Sequence, residues 1–426
     1  MISRIKQKEM HKVKRKLTKA LLALGLLASL AATDAVRPVF AEEAASGSSI
    51  STNQISGWPQ GTDITSEAAV ILEENTGTIL YAKNMDEALF PGSTVKVMTC
   101  LLALENSALT DEVTMTATGV SGVTDGGANI SAQLDEVFTM EQCLYAIMVA
   151  SANDIALQVA EHIGGSVDAF VAQMNARAAE LGCTNTVFTN PTGLPDENQH
   201  TTAHDMALIM RAAAENPSFS TIASATSYTI PATNVSGGAR SLTSSFTMTD
   251  STNAGYYEGC IGGKEGYTEA SGSTLVCAAT RNDMTLVCVV LKGASGQTDD
   301  EAITLLDYGF NNFQTLSLGD NDFSLLSGGD VVVPTGTTEE SLTVEDTPNG
   351  DQVDRTYYFS GVAVGTAVME PEAEEDTTLY TNGQANMEAA KAASESISYI
   401  PYIAIGAGAF LLLLLLFIKM VKIIKS

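Results

Sequence analysis

The chain has 426 residues, 45% of them hydrophobic, and this amount of apolar material is enough for one large and one smaller packed domain. These values exclude an intrinsically disordered chain. The formal net charge is −28 at pH 7. An acidic surface of this kind repels nucleic acid and anionic lipid, so we expect no nucleic-acid partner.

The N-terminus has the order of parts that is typical of a secretory signal peptide. Eight Lys and Arg residues among the first nineteen are followed by an apolar run at 20–32 and by Val39-Phe40-Ala41. Residues 1–41 are therefore a predicted signal peptide, cleaved after Ala41. A basic arm followed by a core helix is the alternative. Residues 42–62, rich in Ser, Gly, Ala and Thr, are predicted to be a flexible tether.

Two apolar runs around Asn75-Thr76-Gly77 predict a β-hairpin at 68–82. The stretch Pro91-Gly92-Ser93-Thr94-Val95-Lys96 then leads into an apolar segment, which predicts a helix that starts near Ser93. Free N–H groups and the positive end of the helix dipole favour a developing oxyanion there. Lys96 shares the helix face of Ser93, and an amine of depressed pKa can take the proton of a serine hydroxyl. The pair is a candidate nucleophile and base; the alternative is an ordinary serine beside a solvated lysine.

Four more helical segments follow. Residues 139–150 and 154–163 are predicted helices joined at 151–154, and the polar side chains of this joint are expected to cap the second helix. Further helices are predicted at 167–181 and 200–216, and the last of them is predicted to start after Thr201-Thr202.

The next part of the chain is mainly strand. Residues 220–250 are weakly strand-like. A β-meander is predicted after them, with Lys264 on its first strand and further strands at 273–280 and 284–291. A helix at 299–313 closes this block.

The predicted elements make an α+β domain of residues 63–318. Strand and turn signals without a helix then predict a small β domain at 319–369, followed by an acidic stalk at 370–398. The uncharged run 399–418 is long enough to cross a bilayer, and the basic tail 419–426 marks its cytoplasmic side. We therefore expect a single-pass protein of the cell membrane whose body lies outside. A buried core helix is the alternative to the transmembrane helix.

The positions of the cysteines and lysines bear on which kinds of functional site the chain can have. The six cysteines lack the spacing of metal ligands, so we expect neither a metal site nor a cofactor. Their even number in an exported chain permits disulfides, but most of them lie in apolar runs, so we expect mostly free thiols. Few lysines remain between residues 42 and 398, and this scarcity makes each of them a candidate for a specific role. They are Lys83, Lys96, Lys264, Lys292 and Lys391.

Three short motifs occur in order: Ser93-Thr94-Val95-Lys96, Ser151-Ala152-Asn153 and Lys264-Glu265-Gly266. With their helix-start, helix-joint and strand contexts, they resemble the S-x-x-K, S-x-N and K-T-G motifs of penicillin-recognising serine enzymes. The surrounding residues, including 91–105 and 190–194, resemble the low-molecular-weight penicillin-binding proteins, the serine-type D-alanyl-D-alanine carboxypeptidases of peptidase family S11. The resemblance implies a β-lactamase/transpeptidase-like domain, an antiparallel sheet flanked by helices.

The resemblance also implies roles for the motif residues. Ser93 would attack the carbonyl between the two terminal D-alanines of a peptidoglycan stem peptide, and Lys96 would remove its proton. The resulting acyl-enzyme would be released by water. Ser151 would relay a proton to the leaving amine, and Asn153 would hold the substrate amide.

The K-x-G strand would supply the rest of the site. Lys264 would attract the substrate carboxylate and keep Lys96 partly neutral. Gly266 and Thr268 would belong to the substrate-binding strand, with an oxyanion hole formed by the N–H of Ser93 and of a residue just after the glycine, near Thr268. β-Lactam antibiotics are expected to acylate Ser93, and the C-terminal helix is expected to anchor the enzyme in the membrane.

Glu265 departs from the family pattern, because it stands where a threonine hydroxyl would bind the substrate carboxylate. Two like charges in a partly desolvated site would repel by about 1 kcal/mol or more. If Glu265 turns away or pairs with Lys264 or Lys292, acyl transfer stays intact. The predicted function is the carboxypeptidase. The alternative is a membrane-tethered penicillin-binding pseudoenzyme or peptidoglycan-binding protein with altered carboxylate recognition; a β-lactamase is disfavoured because no general-base Glu loop follows Asn153.

Overall fold

The computed structural model describes residues 50–123, 127–319 and 324–371. The predicted signal peptide, transmembrane segment and cytoplasmic tail lie outside these residues, as does all but the beginning of the predicted stalk. In the part of the chain that is described, no helix is both long and apolar enough to span a bilayer.

The secondary structure alternates between blocks of strands and blocks of helices. The helices are α1 (Lys96–Asn106), α2 (Ala117–Ser121), α3 (Met140–Val149), α4 (Asn153–Gly164), α5 (Val167–Glu180), α6 (Ala203–Ala214), α7 (Pro217–Ala223) and α8 (Thr298–Asn312). The strands are β1 (Ala68–Glu73), β2 (Ile79–Lys83), β3 (Glu112–Thr114), β4 (Val137–Thr139), β5 (Ser227–Ile230), β6 (Arg240–Thr243), β7 (Cys260–Thr268), β8 (Gly272–Arg281), β9 (Met284–Gly293), β10 (Phe313–Ser317), β11 (Leu325–Gly328), β12 (Asp330–Pro334), β13 (Thr343–Asn349), β14 (Gln352–Phe359) and β15 (Val362–Met369).

A five-stranded antiparallel sheet with the spatial order β2-β1-β9-β8-β7 forms the centre of the fold. The predicted hairpin and the predicted meander are both confirmed. Arg281 pairs with Met284 across a two-residue turn in which Asn282 and Asp283 both have positive φ, as a tight hairpin requires. β7 is an edge strand, so only one of its two edges pairs with another strand of this sheet.

Both faces of this sheet are covered, which explains why its inner strands are almost continuously apolar. Along β9, Val287 and Val289 point into a core shared with α1 and α3–α6, whereas Cys288 and Val290 point into a second core with α8 and the C-terminal strands. Each such fully buried side chain contributes about 1.5–3 kcal/mol. The sheet is therefore a rigid platform for its edge strand.

The helical lobe agrees with the sequence at most positions. The four predicted helices are α3, α4, α5 and α6. α6 begins at Ala203, directly after Thr201-Thr202 as predicted, because the hydroxyl of Thr202 accepts from the N–H of Asp205 and caps the helix there. α7 was not predicted, although Asn216 at its cap and Pro217 at its first position are a recognised helix start.

The prediction of a flexible tether is wrong for residues 50–62. Trp58, the one tryptophan of the chain, is 3% exposed, and its ring N–H donates to Leu80 O at 2.8 Å. Ile50 is also buried and pairs with Lys83 at the edge of the sheet. The average composition of this segment is polar, but its few apolar side chains are enough to fix it to β2.

The C-terminal part is all-β, as expected, but it begins earlier than residue 319. β10 starts at Phe313 and pairs with β12, while β11, β15, β14 and β13 form a four-stranded sheet. The Trp58 ring lies 5.1 Å from the Phe313 ring and 6.1 Å from the Phe359 ring. Thr78 Oγ1 also donates to Val364 O at 3.0 Å. These contacts attach the β region to the face of the central sheet that is opposite the helical lobe.

All six cysteines are unpaired, which confirms the expectation of free thiols. Cys277 and Cys288 lie directly opposite each other on β8 and β9 in the buried core. Burial raises the pKa of Cys100 and Cys143 far above the usual range. These thiols act as small core side chains.

Candidate active site

Ser93 lies in a short 3₁₀ turn, Gly92–Val95, that leads directly into α1. The sequence had indicated a helix start near Ser93, whereas α1 begins at Lys96. Gly92 has a φ of +59°, and the loop that ends in Gly193 packs so closely that a Cβ on Gly193 would lie 1.9 Å from Gly92 O. The position of Ser93 therefore depends on the left-handed conformation of Gly92 and on the close packing of Gly193 against it.

Lys96 and Ser151 both contact the Ser93 hydroxyl. Lys96 Nζ lies 3.3 Å from Ser93 Oγ, and Ser151 Oγ lies 3.2 Å from it. Lys96 is 1% exposed, and its side-chain nitrogen also donates to Thr192 O. Burial first, and the charge of Lys264 second, lower the pKa of Lys96 well below its usual value. A neutral amine at this position can accept the Ser93 proton.

The joint between α3 and α4 carries Ser151 and Asn153. Ser151 has a φ of +53°, a strained conformation for a residue with a side chain. Asn153 is buried, and its Oδ1 accepts no hydrogen bond within the described residues. The backbone N–H of Asn153 donates to Ala128 O at 2.8 Å. A buried amide oxygen without a donor is an available acceptor for the N–H of a ligand.

The prediction that polar side chains of this joint cap α4 is wrong. The residue at the cap position is Ala152, which has no side-chain acceptor. The Asp154 carboxylate instead accepts from the N–H groups of Ile130 and Ala132, at 3.2 and 3.1 Å. Burial nevertheless raises the pKa of Asp154. The Asp154 carboxylate thus fixes the backbone of residues 130–132 to the start of α4.

β7 brings Lys264 and Gly266 to Ser93. Lys264 is 2% exposed, and its ammonium donates to the backbone O of Glu265 at 2.7 Å. Burial lowers the pKa of Lys264 to about 8, against an opposing effect of Glu265. A Cβ on Gly266 would lie 2.5 Å from Ser93 N, so only glycine allows the strand to approach the nucleophile this closely.

Thr268 does not line the cleft. Its N–H donates to Ser271 Oγ at 3.0 Å, and its hydroxyl contacts the same atom. Peptide groups alternate in direction along a strand, so the N–H of Tyr267 points to the opposite edge, on the Ser93 side. We therefore expect Tyr267, the residue directly after Gly266, to be the second oxyanion donor, with Ser93 as the first.

Glu265 is half-buried and lines the cleft. Burial raises the pKa of its carboxyl, as does the charge of Asp299, whereas Ser245 and Lys264 oppose the rise. Lys292, a possible partner of Glu265, forms its ion pair with Glu67 at 2.6 Å instead. Glu265 thus has no ion pair of its own with a lysine side chain of the described residues.

The cleft has a volume of about 400 Å³ and joins residues from all three motifs. Its described lining is Ser93, Ala128, Ser151, Ser245, Lys264, Glu265, Gly266, Tyr267, Ser273, Thr274, Ser295, Gly296, Thr298 and Asp299. The sequence did not indicate Ser245 or Asp299. Asp299 belongs to the acidic first turn of α8, where carboxylates are common simply because they favour the helix dipole.

A larger cleft of about 560 Å³ lies between α1, α5, α6 and α7. Arg177 on its wall pairs with Glu105 at 2.8 Å and with Glu180 at 3.2 Å. None of the motif residues is among its described lining residues, so the chemistry assigns the active site to the smaller cleft. Among the described residues, no three His, Cys, Asp or Glu side chains are grouped to hold a metal ion.

Comparison with known proteins shows the family to which the chain is similar. The sequence profile of the peptidase S11 family, described as D-alanyl-D-alanine carboxypeptidase, matches residues 53–295. The D-alanyl-D-alanine carboxypeptidase DacF of Bacillus subtilis is 33% identical over 256 residues, which are 58% of this chain and 63% of the relative. DacB2 of Mycobacterium tuberculosis is 35% identical over 250 residues, 57% of this chain and 81% of the relative. The chain thus spans less than two thirds of the length of the Bacillus protein.

Solved structures show the same fold. A D-alanyl-D-alanine carboxypeptidase from Mycobacterium tuberculosis superimposes with a TM-score of 0.55 at 32% identity, covering 61% of this chain and 96% of that one. Penicillin binding protein 6B from Escherichia coli, at 22% identity, gives a TM-score of 0.61 and covers 74% of this chain and 98% of that one. With its ordered motifs, its cleft and its profile match, the chain belongs to the peptidase S11 family of D-alanyl-D-alanine carboxypeptidases, the low-molecular-weight penicillin-binding proteins.

Proposed function

We propose that the protein is a serine-type D-Ala-D-Ala carboxypeptidase that removes the terminal D-alanine from peptidoglycan stem peptides. The observation that carries the proposal is the position of Ser93 Oγ, 3.3 Å from Lys96 Nζ and 3.2 Å from Ser151 Oγ. Because Lys96 is buried and has a lowered pKa, a nucleophile and a neutral base meet in one cleft.

The reaction follows from these contacts. Ser93 Oγ bonds to the scissile carbonyl carbon while its proton moves to Lys96 Nζ. The carbon–nitrogen bond then breaks, and the departing amine takes a proton through Ser151. Water hydrolyses the ester, returns Ser93 to its hydroxyl form and frees the shortened peptide.

The remaining groups of the cleft bind and polarise the substrate. The open acceptor of Asn153 suits the N–H of the peptide, and the ammonium of Lys264 suits the carboxylate of the last residue. The N–H groups of Ser93 and Tyr267 would stabilise the oxyanion. A β-lactam has the same amide and carboxylate arrangement, so we also propose that β-lactams acylate Ser93.

The proposed place of action is the outer face of the cell membrane. The predicted signal peptide at 1–41 would export the chain, and the predicted transmembrane helix at 399–418 would anchor it. Peptidoglycan stem peptides lie on that side of the membrane.

A second candidate is a penicillin-binding pseudoenzyme or peptidoglycan-binding protein, and the presence of Glu265 in the lining of the cleft is the observation that favours it. The test is D-alanine release from a stem pentapeptide by the purified full chain and by its Glu265→Thr variant. Sustained release by the parent supports the carboxypeptidase. Release that is found only in Glu265→Thr identifies the parent as a binder, and release by neither contradicts the carboxypeptidase.

We expect the rate of acylation of Ser93 by penicillin to fall above about pH 8, by about tenfold per pH unit. The pKa of Lys264 is lowered to about 8, so its positive charge is present below that pH and is lost as the pH rises through it. The measurement is the acylation rate constant from about pH 6 to about pH 10.

The Lys264→Arg variant is the control for this assignment. A guanidinium stays charged over the whole range, so the fall near pH 8 should be absent from this variant even if its overall rate is lower. A fall that stays near pH 8 in Lys264→Arg would assign it to a different group.

A further inference from the structure

Two carboxylates on different elements line the cleft. Glu265 lies on β7, and Asp299 lies in the first turn of α8. The hydroxyl of Thr247 donates to Asp299 Oδ2, and Ser245 lies beside Glu265 and lines the same cleft. Both acids thus contact the 244–247 segment, and both line the cleft that Ser93 also lines.

The cations of the surrounding elements have other partners. Lys292 pairs with Glu67 at 2.6 Å, and Arg240 pairs with Glu136 at 2.7 Å. Lys264 is the one cation among the described lining residues, and its ammonium donates to the backbone O of Glu265 rather than to either carboxylate. The two acids therefore lack a dedicated ion-pair partner within the described residues around the cleft.

A ligand can supply the missing charge. Ser93, Ser151 and the open acceptor of Asn153 already define where a peptide binds. Lys264, the cation that suits the carboxylate of the departing residue, directly precedes Glu265 on β7, and Glu265 lines the same cleft as Ser93 and Asp299. Both carboxylates thus line the cleft together with the cation that would hold the departing residue.

We propose that Glu265 and Asp299 form a subsite for an ammonium group on the leaving residue, so that the enzyme prefers a D-diamino acid after the scissile bond. This inference rests on the proposed carboxypeptidase function. Lys264 binds the α-carboxylate of that residue, and Glu265 with Asp299 binds its side-chain ammonium. The bond changes are those of the hydrolysis above: the C–N bond breaks, the ester on Ser93 forms, and the diamino acid leaves with its amine protonated.

The test compares two matched tripeptides with the same acyl part, one ending in D-Ala-D-Lys and one in D-Ala-D-norleucine. The two differ in the terminal ammonium and hardly in length. We expect the full chain to hydrolyse the D-Lys peptide with a kcat/KM about tenfold higher, because one charge pair in a partly desolvated cleft has roughly this effect. The ratio should decrease at high salt.

Charge-neutral variants locate the effect. The double variant Glu265→Gln/Asp299→Asn keeps the shape of both side chains and should lower the ratio to about one. The matched control is Asp300→Asn, which removes the neighbouring exposed carboxylate of α8 and should leave the ratio at the parent value. Thermal unfolding of each variant verifies that it is folded, and Glu265→Thr provides a second substitution at the same position.

The binding of both peptides to the Ser93→Ala chain, measured by calorimetry, separates this inference from the proposed function. A preference for D-Lys in binding, without hydrolysis by the parent, would contradict only the carboxypeptidase. Equal binding and equal hydrolysis of the two peptides would overturn the ammonium subsite and leave the carboxypeptidase in place. A ratio that is unchanged in the double variant would also overturn it.

Discussion

Replacement of Ser93 by alanine is expected to abolish covalent labelling by a fluorescent penicillin and to reduce D-alanine release by at least about 10⁴-fold. The acyl-enzyme is an ester of Ser93 Oγ, and alanine has no atom with which to form it. Ser151 lies only 3.2 Å away, but it occupies the strained joint before α4 and contacts Lys96 only through Ser93 in the described hydrogen bonds. It is therefore not expected to replace the nucleophile.

The Ser93→Ala chain should fold normally. The Ser93 side chain is only half-buried, and its described hydrogen bonds are those to Lys96 and Ser151. Ser241, exposed on β6, is a matched control, and Ser241→Ala should be labelled at the parent rate. The measurements are gel fluorescence after labelling, D-alanine release and the melting temperature. Labelling that survives in Ser93→Ala would identify a different nucleophile and overturn the proposed function.

Replacement of Gly266 by alanine should slow acylation by penicillin by about 10²–10³-fold. The added Cβ would lie 2.5 Å from Ser93 N and 3.1 Å from Ser93 Cα, and both atoms belong to backbone that cannot turn aside. The edge strand must then move away from the nucleophile. This separates the N–H groups of Ser93 and Tyr267, which the oxyanion needs at a fixed spacing.

Gly238 is the matched control for this substitution. A Cβ at that position meets no atom within 4 Å, so Gly238→Ala should keep the parent rate. The measurement is the second-order rate constant of acylation, with the melting temperature taken on the same samples. Parent-like acylation by a folded Gly266→Ala chain would show that β7 does not form the second half of the oxyanion hole.

Local patterns were sufficient for much of the fold. The hairpin around Gly77, the meander from β7 to β9 and the joint at Ser151 depend on periodicity and turn chemistry within about ten residues. The contact between Ser93 and Lys96 was also predictable from local sequence, because the two residues are only three positions apart. The start of α6 after Thr202 was predicted in the same way, whereas α7, which a single capping residue also begins, was missed.

Segments that are stabilised by distant parts of the chain were predicted less well. Residues 50–62 appeared to be a tether because their average composition is polar, yet Trp58 is buried against β2 and Phe313. The start of the C-terminal β region at Phe313 depends on its pairing with Pro334. Such pairings have no local signal, since the partner is remote in sequence.

By itself, the sequence determined which groups this protein has for chemistry: a serine and a lysine on one turn, a serine–asparagine joint, and a lysine–glycine strand with a glutamate between them. Only the tertiary structure decided how they meet. The sheet places Gly266 against Ser93, buries Lys96 and Lys264 so that their pKa values fall, and brings Glu265 and Asp299 into one cleft. Distances and burial of this kind arise from strand register and packing between remote elements, which no short stretch of residues specifies.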